Sequence, residues 1–99
     1  MAEVTRLLSD AAEGALVESL ASVVQFLEEV DDEDLEPRIA IRWMEWVSYL
    51  LNQLPKADRH AVVALCRTRM EQTSDTWIRG ALESLYTGCG LDEDDEAPA

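Results

Sequence analysis

The sequence contains few of the residues that catalytic and metal sites require. It has one histidine (His60), two cysteines (Cys66 and Cys89) and four glycines, at positions 14, 80, 88 and 90. Glycines so far apart form no phosphate-binding loop, and one histidine with two cysteines cannot supply the four ligands of a structural zinc site without carboxylates. We therefore expect no catalytic residue, no cofactor and no metal, and a protein that is not an enzyme.

Long apolar runs and an export signal are also missing. No stretch approaches the roughly 18 apolar residues of a membrane span. The first ten residues, MAEVTRLLSD, lack a basic region followed by a long apolar run, so we expect no signal peptide. These absences predict a cytoplasmic protein in which Cys66 and Cys89 stay reduced, and a disulfide between them is the alternative.

Negative charge, in contrast, is abundant and concentrated. The chain carries 21 acidic residues against 8 Lys and Arg, for a net charge of -13. Seven acids lie in EEVDDEDLE at 28–36 and five in DEDDE at 92–96, whereas residues 37–91 carry a net charge of +2. Such a field repels nucleic acid and anionic membranes and attracts basic proteins. We expect a basic protein partner to bind through five carboxylates: Asp31, Asp32, Glu33, Asp34 and Glu36.

The same acidic run does not fit a calcium loop. An EF-hand counted from Asp32 would have Pro37 at its sixth position, where glycine is needed, and Trp43 at its twelfth, where glutamate is needed. The structural interpretation of the run is a solvated cluster at a helix start, where acids complement the positive end of the helix dipole.

The hydrophobic pattern predicts helices throughout. Leu16, Leu20, Val23, Leu27 and Val30 recur at alternating steps of four and three, which predicts an amphipathic helix over 15–30. Upstream we predict a short helix near 2–12 that bends or stops at Gly14, because glycine costs about 1 kcal/mol in a helix interior. One long helix through Gly14 is the alternative.

Three further helices are predicted at 35–54, 56–72 and 75–87. Pro37 suits a first helical turn, Pro55 separates two helices, and Gly88 or Gly90 suits a helix C-terminus. The predicted fold is all-α: a four-helix bundle with an additional short N-terminal helix. It forms one domain over 1–90, followed by an acidic, disordered tail over 91–99.

The helix at 35–54 is unusually apolar. Eleven of the sixteen residues from Ile39 to Leu54 are apolar, so other helices surround it or another molecule covers part of it. The second case predicts a homodimer through Trp43, Trp46 and Tyr49. The alternative function is then a homodimeric accessory or regulatory protein, with acidic runs that serve solubility only.

Two segments, LNQLPKADRHAVVALCRTRMEQ and ALESLYTGCGLDEDDE, carry a family resemblance over about 50–96. They are similar to small acidic helical proteins of bacteria, some of which are immunity proteins of polymorphic-toxin loci. The shared pattern is a helix that ends at Leu-Pro, Asp-Arg at the start of the next helix, and Gly-Leu before an acidic tail. The resemblance implies a stoichiometric inhibitor that binds a toxin, often a basic nuclease, and it assigns no binding residue.

Overall fold

The computed structural model describes residues 8–93, which form four α-helices and no strand within that range. The helices are α1 (Asp10–Glu29), α2 (Pro37–Asn52), α3 (Lys56–Gln72) and α4 (Thr76–Gly88). The predicted all-α class is confirmed. Residues 2–7 of the predicted N-terminal helix lie outside the described residues.

The first helix passes through Gly14 without a break, so the predicted stop at that glycine is wrong. α1 begins at Asp10, after Ser9, whose hydroxyl accepts a hydrogen bond of 3.1 Å from the N–H of Ala12. Gly14 is buried, and a Cβ added there would lie 2.7 Å from Cζ of Arg69 on α3. The glycine therefore makes room for a neighbouring side chain within a continuous helix.

The boundaries of α2, α3 and α4 lie within two residues of the predicted boundaries. α3 occupies the predicted range, whereas α2 begins two residues later and ends two residues earlier than predicted. The N–H groups of Asp34 and Leu35 donate to the carbonyl of Asp31, so residues before Pro37 form a turn. α4 begins after Asp75, whose carboxylate accepts from the N–H groups of Trp77 and Ile78 at 2.9 and 3.1 Å.

The core lies mainly between α1 and α4, which share the most extensive contact of any helix pair. Both helices present a small, fully buried residue, Ala21 on α1 and Ala81 on α4. α3 packs against α4 and touches α1, and α2 packs chiefly against α1. The contribution of α2 to the buried residues is Ala40 alone.

The chain reverses after α4. Gly90 has a φ of +71°, in the left-handed region that glycine adopts readily. The N–H of Leu91 then donates to the carbonyl of Tyr86, five residues earlier, at 2.9 Å. This is the hydrogen bond that defines a Schellman-type helix end. Leu91 is fully buried, so the predicted start of the tail at residue 91 is wrong. Residues 94–99 lie outside the described residues.

Candidate protein-binding surfaces

The loop between α1 and α2, residues 30–36, is hereafter the acidic loop. Two backbone hydrogen bonds to the carbonyl of Asp31, of 2.9 and 3.0 Å, close it into a turn. Val30 and Leu35 are half-buried, whereas the acids between them are exposed. The five predicted partner-binding residues are all exposed: Asp31, Asp32, Glu33, Asp34 and Glu36. The structure thus brings them together on one surface loop.

Among residues 8–93, few groups neutralise these carboxylates. Glu36 pairs with Arg38 at 3.5 Å, but the two side chains are 54% and 82% exposed, so the pair is weak. The carboxylates of residues 31–34 form no ion pair with any residue between 8 and 93. Their field is therefore directed into solvent.

The acids are also not explained by helix capping. Glu36 is the N-cap residue of α2, but its side chain makes no capping hydrogen bond, and the first turn of α2 contains no acid. On the other side, α1 ends in Glu28 and Glu29, at the negative end of its dipole, where acids are unfavourable. Glu29 has a structural role, because its carboxylate accepts hydrogen bonds from Gln25 and from the indole N–H of Trp77 on α4. For the acids at 31–34, charge without a local stabilising partner is expected where it serves binding.

A second surface lies on α2, which carries two parallel rows of apolar side chains. Ala40, Met44, Val47 and Leu51 form the inner seam, which packs against the core. Ile39, Trp43, Trp46 and Leu50 form the outer seam, which faces solvent. Both rows have spacings of four, three and four, and the outer seam lies one residue before the inner one.

The outer seam is substantially uncovered. Trp43, Trp46 and Leu50 are 52%, 49% and 46% exposed, and Ile39 is 39% exposed. Tyr49 flanks the seam and stacks on Trp46, with ring centroids 5.5 Å apart and planes 17° from parallel. The predicted dimer face, Trp43, Trp46 and Tyr49, is thus one exposed surface. Sequence reasoning missed Ile39 and Leu50 as its ends, although the spacing of the row could have revealed them.

The thiols and the histidine show no arrangement for nucleophilic chemistry. Cys66 is fully buried, and burial raises the pKa of its thiol to about 11. Burial also raises the pKa of Cys89, a hydrogen bond with Ser48 opposes this shift, and the charge of Glu28 adds to it. Both thiols are free. Thiolates, rather than thiols, are the nucleophiles, so neither cysteine is activated. His60 is exposed.

Within residues 8–93, no three His, Cys, Asp or Glu side chains converge closely enough to hold a metal ion. None of the four helices described has both the length and the apolar character to cross a bilayer.

Comparisons with protein-family models, curated proteins and solved structures found no match for this chain. The similarity to immunity proteins noted above is therefore still an expectation.

Proposed function

We propose that this chain is a non-enzymatic protein-binding domain, an immunity or inhibitor protein that binds a basic partner through the acidic loop. The observation that carries the proposal is the group of four exposed carboxylates at residues 31–34. They form no ion pair within the described part of the chain and cap no helix.

The charges of the acidic loop lie close together along the chain. All five acids of the loop fall within six consecutive residues. The Debye length at physiological ionic strength is about 8 Å, so neighbouring charges on such a loop act largely as one patch. Such a patch increases the association rate with a cationic surface. On an inhibitor, it substitutes for the phosphates that a basic nuclease would otherwise bind.

The acidic loop is held at both ends, which limits the conformational entropy that it loses when a partner binds. Helices α1 and α2 hold its two ends, and Val30 and Leu35 within it are half-buried. A loop held in place by backbone hydrogen bonds loses less conformational freedom on binding than an unsupported one.

The test begins with the partner, for which the product of the neighbouring gene is the first candidate in a pull-down from the native cell. Association is then measured for a variant with Asp31, Asp32 and Asp34 replaced by Asn and Glu33 by Gln. We expect the association rate to fall at least about tenfold, because the steering charge is lost. The salt dependence of the remaining rate should fall as well.

A matched control separates the loop from net charge. Neutralising the exposed acids Glu71, Glu83, Asp92 and Glu93 changes the net charge by the same amount, away from the loop. This variant should keep most of the association rate. An unchanged rate in the loop variant, or equal losses in both variants, would contradict a binding role for the acidic loop.

A further inference from the structure

The outer seam of α2 lacks cover within the described protein. A helix that packs on one side only normally exposes polar residues around the rest of its surface. The outer seam lies about 100° around α2 from the inner seam, beside the polar side that carries Arg38, Arg42 and Glu45. α2 instead exposes four apolar residues in one row, with Tyr49 beside them, between 39% and 54% accessible. Apolar patches of this kind mark interaction surfaces.

We propose that the outer seam binds the outer seam of a second copy of this chain, with the two α2 helices antiparallel. The twofold axis of this homodimer passes between Trp43 and Trp46. The proposal does not depend on the acidic loop having a partner.

The order of residues along the seam supports a second copy as the occupant. The spacings of four, three and four read the same in both directions, so the row is symmetric about its midpoint. An antiparallel pair then places Ile39 opposite Leu50 of the second copy, and Trp43 opposite Trp46 of the second copy. A twofold dimer requires this self-complementarity, because the same patch forms both sides of the interface. The spacing also matches the repeat of closely packed helices.

The distribution of charge supports both the second copy and its direction. α2 carries Arg38, Arg42 and Glu45, a net charge of +1 in a strongly acidic chain, so two copies meet on this helix without strong repulsion.

Antiparallel helices place the two acidic loops at opposite ends of the interface. The separation is roughly 24 Å, the length of sixteen helical residues and about three Debye lengths. Parallel helices would place the two loops side by side. The positive charge of α2 also disfavours a basic partner at this seam.

The exposed apolar area is sufficient for a modest interface. Each aromatic ring of the surface is about half exposed, which leaves roughly 100 Å² apiece to cover. With Ile39 and Leu50, about 500 Å² per copy becomes buried, or about 1,000 Å² in the pair. That value lies at the lower limit of specific interfaces, so we expect a dimer that dissociates on dilution.

Sedimentation equilibrium of the full chain tests the proposal from about 1 µM to about 500 µM. The mass should rise from 11.1 kDa to twice that value. Trp46→Glu and Leu50→Lys should both stay monomeric, because each places a charge in the seam. Ile41→Glu is the matched control, because Ile41 is 56% exposed on the same helix but outside the seam. It should dimerise like the parent, and circular dichroism should show equal helicity in all variants.

Cross-linking tests the direction in a Cys66→Ala, Cys89→Ala background. A mixture of Ile39→Cys and Leu50→Cys chains should form a disulfide between different variants under mild oxidation. Neither variant alone should cross-link efficiently. A monomer at the highest concentration, a dimer that survives both seam variants, or efficient cross-linking of Ile39→Cys alone would overturn the proposal.

Discussion

Gly14→Ala should destabilise the protein, although alanine is the better helix former. A Cβ at this position would lie 2.7 Å from Cζ of Arg69 and 2.8 Å from its Nε and Nη1. The guanidinium is held there because Nε donates to a carboxylate oxygen of Glu18 at 2.8 Å, and Nη2 lies 2.7 Å from the same oxygen in an ion pair. The side chains of Arg69 and Glu18 are only 31% and 27% exposed. The new methyl group therefore displaces an arginine from a partly buried ion pair.

The expected magnitude is a difference of two opposing terms. Alanine in place of glycine stabilises a helix interior by about 1 kcal/mol. Loss of charged, partly buried hydrogen bonds costs roughly 1.5–3 kcal/mol, and solvent exposure favours the lower half of that range. The net expectation is a loss of about 1 kcal/mol in the free energy of unfolding. For a domain of this size, the melting temperature should fall by about 4–8 °C.

The decisive assay is a double-mutant cycle measured by urea unfolding. In an Arg69→Ala background the obstructing guanidinium is absent, so Gly14→Ala should become stabilising by about 1 kcal/mol. The reversal of sign isolates the contact from any general effect of glycine replacement. A gain in stability of similar size in both backgrounds would refute the argument that Gly14 makes room for Arg69.

Two further predictions concern a helix cap and a buried thiol. Asp75→Ala should lower the free energy of unfolding by about 1 kcal/mol in urea titrations, because α4 loses its N-cap, whereas Ser74→Ala should change it little. Cys66 has a folded pKa of about 11 against an unfolded value of 9.0, so folding retains a proton that the unfolded chain releases. The stabilisation that comes from keeping this proton is complete below pH 9. As the pH rises toward 11 it is lost, and the free energy of unfolding falls by about 1.4 kcal/mol per pH unit. Unfolding at pH 8, 9 and 10 should show this decline in the parent and a smaller one in Cys66→Ala, and parallel curves would contradict it.

The fold was predictable where the determining signals are local. Pro37 and Pro55 mark helix starts, and the bounds of α3 could be read directly from the sequence. The role of Gly14 could not, because it depends on Arg69, 55 positions further along the chain. Burial of Leu91 was missed for a related reason. It follows from the left-handed turn at Gly90, whereas composition predicted only an acidic tail.

The candidate surfaces were predictable in part. The acids at 31–34 were expected to face outward. Only the backbone structure shows that they lie in a turn before α2 and not in its first helical turn. Trp43, Trp46 and Tyr49 were expected to share a face. Which seam of α2 would pack inward could not be derived, because both rows have the same spacing. Contact with α1 selects the row containing Ala40, whose small side chain allows close approach, and this leaves the bulky tryptophans outside.

The pairing of α1 with α4 has a consequence for biosynthesis. The ribosome makes α1 before α4, so Val17, Ala21 and Val24 have no native partner on α4 until that helix has been synthesised. Contacts so distant along the chain slow folding compared with a protein in which each helix packs on the preceding one. During that interval these apolar side chains are exposed, and exposed apolar surface on an incompletely folded chain favours aggregation.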